Sequence, residues 1–225
     1  MLKATWDLRA VLSIHILRLA AGILVVRFLY PLFFTASPFV IELTDRFIVL
    51  ALVVWKVRDT QGSWRELGLS RRNWRANVLK GLAGGTALLL VSLYSERVYT
   101  TVLLVEPTQH PLVAQVQAAV SWEQLIIPLF LAGIAAPVTE EMLYRLFTFL
   151  PLKDKWGLWG GALASAGIFA LFHFNAYWLA EMIIVGIGFA LLYYWTGSLL
   201  TAITAHSFIN TSKIVMMYLG VPLVP

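Results

Sequence analysis

The chain has no cysteine, which excludes disulfides, thiolate nucleophiles and every cysteine-based metal site together; any metal would need histidine and carboxylate ligands. Charge is nearly as scarce. Only 13% of the 225 residues are charged and 60% are hydrophobic, with a mean hydropathy of +0.78. Soluble domains usually carry about 25% charged residues, so an ordinary soluble globule is excluded. Acids are the scarcer sign, 12 Asp and Glu against 17 Lys and Arg, a net charge of +5. In so apolar a chain that excess reports membrane topology rather than nucleic-acid binding, because Lys and Arg gather in cytoplasmic loops. Internal repeats and low-complexity tracts are also lacking.

What remains is apolar helix. At about 20 to 25 residues per crossing the length allows about six to eight spans, and the fold expected is all-α: a polytopic transmembrane bundle of about seven spans enclosing a polar cavity. The spans are expected near 10–34, 39–56, 77–105, 124–150, 157–175, 177–196 and 198–219. One integral-membrane domain covers 1–225, with N-terminal spans and a basic connector over 1–121 and the core spans over 122–225. Lys3 and Arg9 precede the first apolar run, but His15, Arg18 and Arg27 interrupt it and no small-residue cleavage site follows, so a retained segment is expected.

Loop charge sets the orientation. Lys56, Arg58, Arg65, Arg71, Arg72, Arg75 and Lys80 face only Asp59 and Glu66 over 56–80, so this connector and the N-terminus are expected in the cytoplasm. The stretch from Glu106 to Glu123 has no Lys or Arg and falls outside, as does the C-terminus. The protein is then multi-pass, in the plasma membrane if prokaryotic. Trp64, Leu67, Leu69 and Trp74 interleave with the connector's arginines as an interfacial anchor would. Arg18, Arg27, Glu42, Asp45 and Arg46 fall within the first two spans and are expected to pair across that hairpin or reach the interface. Lys213 is read as structural or substrate-facing.

Three polar groupings interrupt the later spans. The first is Glu140-Glu141-Met142-Leu143-Tyr144-Arg145 after Pro137, a residue that tends to kink or restart a helix. Ionised carboxylates at bilayer depth cost several kcal/mol, so two together imply a function. Glu141 stands four before Arg145, the favourable order for an ion pair, which leaves Glu140, about 100° around the helix, to face something else. A capped helix start at Thr139 with an acidic first turn is the plainer alternative. The second grouping is Phe169 to His173, ending a Gly- and Ala-rich span; the third is His206 and Asn210, within about 40° on one helical face. Interhelical polar bonding is the plainer reading of each.

In that order, EExxxR, FxxxH and HxxxN resemble the CPBP family of intramembrane proteases, which includes the type II CAAX prenyl endopeptidases. The resemblance covers the chain from Trp122 onward, with 64–69 similar to the family's amphipathic connector. It implies that Glu140 is the general base, that His173 helps to hold and activate a water, and that His206 and Asn210 stabilise the oxyanion. Glu141, Arg145 and Phe169 are implied as supporting residues. Peptide hydrolysis needs a base for water, an acid for the leaving amine and donors for the oxyanion, and these side chains can supply all three.

Glu140, His173 and His206 also make a His₂Glu set of the kind that holds catalytic zinc. No HExxH is present, and no cofactor is the preferred expectation, with zinc as the alternative. The expected partners are membrane lipids and a hydrophobic or lipidated peptide substrate, prenylated CAAX-type or another precursor; nucleic acid is not expected. A non-enzymatic transporter or immunity scaffold built on the same polar groups is the competing class.

Overall fold

A computed structural model describes residues 2–70, 72–101 and 111–221. Arg71 and the first part of the acidic 106–123 stretch, through 110, lie outside them. The described chain is a helical bundle with no strand among those residues, as expected, and helices stand in all seven anticipated stretches. They are α1 (Leu8–Phe33), α2 (Pro38–Asp59), α3 (Trp74–Thr101), the short α4 (Pro111–Gln117), α5 (122–156), α6 (158–171), α7 (Leu179–Thr196) and α8 (Leu199–Tyr218).

α1 starts where Asp7 accepts from the Ala10 amide at 2.9 Å. It widens to a π-helical turn over Leu24–Leu29 just before Pro31, whose missing N–H a wide turn accommodates. Ser37 caps α2, with Pro38 in its first turn. Arg18–Asp45 and Tyr30–Thr44 contacts close the α1–α2 hairpin.

The connector departs from the expected interfacial anchor. Trp74 is exposed, but Leu67 is buried in protein, the Tyr193 hydroxyl donates to its carbonyl at 2.7 Å, and the Leu199 amide donates to the Gly68 carbonyl at 3.1 Å. Gly68 has φ +80°, and a Cβ there would stand 2.7 Å from the Gly197 carbonyl oxygen. The loop therefore docks on the α7–α8 turn because two backbones must meet without side chains between them.

α3 lies along α8, where Gly81 and Gly85 face Thr204 and Ala205 closely enough that a Cβ on either would come within 3.0 Å. Small residues bring helices together where lipid offers no hydrophobic drive to pair them. The run Trp122–Leu171 is a hairpin rather than one span. Its only non-helical backbone is at Gly157 (φ 72°, ψ 176°), after which Gly161 lies against Lys153 and the Ser165 hydroxyl donates to the Tyr144 carbonyl at 2.6 Å.

Four runs are long and apolar enough to cross a membrane: Leu8–Phe33, Trp74–Ser95, Trp122–Leu171 and Leu179–Thr196. α2 and α8 are not among them, because Glu42, Asp45 and Arg46 on one, and His206, Asn210 and Lys213 on the other, dilute their apolar content. One hydrophobic core runs from Trp6 and Val11 through Phe147 and Phe169 to Ile209, so both halves of the chain pack around the α5–α6 hairpin. Trp6 stacks on Phe147 and donates to its carbonyl at 2.8 Å, fastening the N-terminus to α5.

Candidate active site

α5 is not a uniform α-helix. Wide π-helical turns occupy Leu131–Ala135 and Glu141–Phe149, and the acid pair stands where the second begins. Pro137, read as a point of kink or restart, follows a wide turn that accommodates its missing N–H, and the helical run continues. All nine residues of Glu141–Phe149 are buried. Neighbouring acids on this segment diverge, Glu141 toward α8 and Glu140 toward α2.

Glu141 is fully buried, and one oxygen, Oε1, gathers its contacts. His206 Nδ1 stands 2.8 Å from it and Arg145 Nη1 3.2 Å from it. The Glu141–Arg145 pair is thus the one read from their spacing, while the bond to His206 joins it from α8. Arg145 is equally buried; its guanidinium lies 4.4 Å from the Phe169 ring centre and 5.2 Å from that of Phe189, and Nη2 donates to the Gly186 carbonyl at 3.3 Å. Aromatic faces replace part of the hydration that the cation loses. A Cβ on Gly186 would stand 3.1 Å from Nη2, so α7 needs a glycine at this crossing.

A carboxylate only accepts, so His206 donates from Nδ1 and presents Nε2 on its far side. That nitrogen stands 3.8 Å from Glu140 Oε2. The imidazole is sandwiched by packing as well, stacked on Phe189 at 4.7 Å and met edge-on by Phe169 at 6.1 Å.

Glu140, left by the spacing to face something other than Arg145, faces α2. Its Oε1 accepts from Arg46 Nη1 at 3.1 Å, across from α2. Arg46, Glu42 and Asp45 were expected to pair within the first hairpin. Arg18 and Asp45 do so through two bonds of 3.1 and 2.9 Å, and Arg46 Nη2 binds Glu42 at 3.0 Å, but Arg46 also reaches the acid of α5.

His173 ends the second grouping one turn past Phe169. Its Nδ1 donates to the Phe169 carbonyl at 2.8 Å, leaving Nε2 as the ring's acceptor. Phe169 is the common wall, 4.6 Å from the His173 ring and 5.2 Å from that of Tyr144. Asn210 is one turn beyond His206, and its Nδ2 donates to the Ala132 carbonyl at 2.9 Å in the first wide turn of α5. Glu140, Glu141 and His206 therefore converge, His173 shares the Phe169 wall with His206, and Asn210 has its hydrogen bond on the neighbouring stretch of α5. Lys213 binds Glu181 at 2.6 Å, an acid that also bonds Ser92, and ties α8 to α7.

The zinc alternative finds little support in these donors. Among the described residues no three His, Asp or Glu side chains are disposed to hold a metal ion, and a guanidinium already occupies Glu140 Oε1.

Arg46 is the neighbour of Glu140 that spacing missed; behind it Arg18 donates to the Tyr144 hydroxyl at 3.1 Å, and His15 Nε2 lies 3.0 Å from Thr148 Oγ1. The available signal was the Glu42, Asp45 and Arg46 cluster inside an otherwise apolar helix.

Comparison with known proteins bears out the resemblance over the core. Residues 122–212 match the family described as "Type II CAAX prenyl endopeptidase Rce1-like". The chain is also similar to "Putative membrane peptidase YdiL" of Bacillus subtilis (strain 168), 30% identical over 92 residues, which is 40% of this chain. It spans 38% of the length of that relative. No solved structure matches.

Proposed function

We propose that this chain is an intramembrane endopeptidase that hydrolyses a peptide bond of a membrane-presented substrate, a prenylated CAAX-type or other hydrophobic precursor peptide, with a water activated by Glu140. The observation that carries this reading is the buried Glu140–His206–Glu141 grouping inside the segment that matches the prenyl endopeptidase family. Structural ion pairing alone accounts for Glu141 and Arg145. Pairing with Arg46 engages only Oε1 of Glu140 and leaves Oε2 facing an imidazole whose other nitrogen is already fixed.

In this reading Glu140 Oε2 takes a proton from water while the water oxygen bonds to the scissile carbonyl carbon, and the C=O electron pair moves onto oxygen. His173 Nε2 accepts the water's other hydrogen and orients it. The oxyanion is met by the second Nδ2 hydrogen of Asn210, whose first is bound to Ala132, and by the His206 ring that Glu141 holds in place. Collapse of the intermediate breaks the C–N bond, and the proton held on Glu140 passes to the leaving amine. Atoms balance as peptide plus water giving acid plus amine, with no metal required. The basic 56–80 connector on the cytoplasmic side and catalysis within the bilayer belong to the same proposal.

The test is direct. Purified protein in lipid bicelles is given a farnesylated CAAX peptide and the products are weighed by mass spectrometry. Release of the terminal tripeptide is expected; an intact peptide, with an unprenylated hydrophobic peptide also intact, would overturn the proposal.

A further inference from the structure

We propose that Arg46 is a positioning residue for this hydrolysis, fixing which oxygen of Glu140 meets the water, so that the α1–α2 hairpin completes a site that 122–212 leaves open. The inference rests on the reading of Glu140 as the base.

The two oxygens of Glu140 have separate neighbours: Oε1 accepts from Arg46 at 3.1 Å, and Oε2 lies 3.8 Å from His206 Nε2. The terminal torsion of a glutamate is broad and soft, so an isolated head group would present either oxygen at a range of angles. Committing Oε1 to a guanidinium removes that freedom and aims Oε2 at the imidazole side.

Arg46 can do this because it is held in turn. Its Nη2 binds Glu42 at 3.0 Å, and its Nη1 stands 3.7 Å from Asp45 Oδ2. Asp45 accepts from Arg18 Nε and Nη2, and Arg18 Nη1 donates to the Tyr144 hydroxyl at 3.1 Å. The chain of contacts thus leaves α5 at Glu140 and returns to it at Tyr144, four residues on. The hairpin grips the reactive helix at two points on successive turns, which a lone salt bridge does not do. A planar guanidinium suits the task, since it can serve Glu140 and Glu42 from separate nitrogens at once, and an ammonium lacks that fork.

The test compares purified Arg46→Gln, Arg46→Lys and Glu140→Gln with the wild-type protein in the same bicelles, using an internally quenched farnesylated CAAX peptide. Arg46→Gln is expected to lower kcat about 10- to 100-fold with KM within about twofold, as misplacement of a reacting group by about 1 Å would. Arg46→Lys should restore part of kcat by keeping the charge without the fork. An Arg46→Gln protein with unchanged kcat, beside an inactive Glu140→Gln, overturns the positioning role and leaves the peptidase intact. Wild-type protein no more active than Glu140→Gln overturns the peptidase instead, and thermal unfolding then decides Arg46. The Tm loss from Arg46→Gln should shrink in a Glu140→Gln background, and an equal loss in both backgrounds overturns the pairing.

Discussion

The protein contains two helical hairpins of similar apolar composition that use it in opposite ways. In the first, α1 offers most of its surface outward, with 17% of its most apolar stretch buried; in the second, Trp122–Leu171, 56% is buried. Both include a wide turn close to a proline. The outer hairpin half-buries Arg18, Asp45 and Arg46, where they act as counter-ions, and leaves Arg27 and Glu42 exposed. The inner one is wholly buried over Glu141–Phe149, where an acid's escape from an apolar interior is a partner. Glu42 on the outer hairpin is exposed and is met by Arg46 one turn along the same helix, whereas the fully buried Glu141 of the inner one takes two partners, Arg145 on its own helix and His206 from α8.

If the inner hairpin depends on its partners more than the outer one does, the largest stability loss should come from Glu141→Ala. It leaves the Arg145 guanidinium buried without its carboxylate, and about 3 to 5 kcal/mol is expected from thermal unfolding in detergent, with activity abolished. Asn210→Ala sharpens the same contrast from the functional side: kcat should fall about 10²- to 10³-fold, the range for a lost oxyanion donor, while the unfolding temperature moves little. In the outer hairpin, Asp45→Asn weakens the two Arg18 bonds at a partly exposed position, and a loss of about 1 to 2 kcal/mol is expected by the same unfolding measurement. The smallest effect belongs to Lys213→Met. Its tie to Glu181 lies outside the catalytic grouping, so stability should drop by about 1 kcal/mol or less and steady-state kcat should stay within about twofold. A large kcat loss there would return Lys213 to the substrate-facing role.

Much of this was legible before any coordinates because it is local. Apolar runs gave the helices, and the Glu141-to-Arg145 spacing gave an ion pair that exists. The family resemblance rested on motifs that each lie within six residues. What stayed hidden is non-local or depends on backbone detail. Arg46 and Glu140 are 94 positions apart, and no periodicity on α2 says which helix its charges will face. Pro137 looked like a kink or restart because spacing assumes a uniform helix, and a π-helical turn can absorb a proline without one. The connector read as an anchor because its arginines and tryptophans alternate, yet its docking is decided by Gly68 and Gly197, two small residues far apart in sequence.

The account stands most directly on the carboxyl of Glu140, and the decisive measurement is the turnover of the farnesylated CAAX peptide by purified Glu140→Gln protein, folded to the same unfolding temperature as wild type. Loss of about 10³-fold or more in kcat is predicted, since an amide cannot take the water proton. Turnover near the wild-type rate would contradict the assignment of the base, and with it the mechanism built on the site.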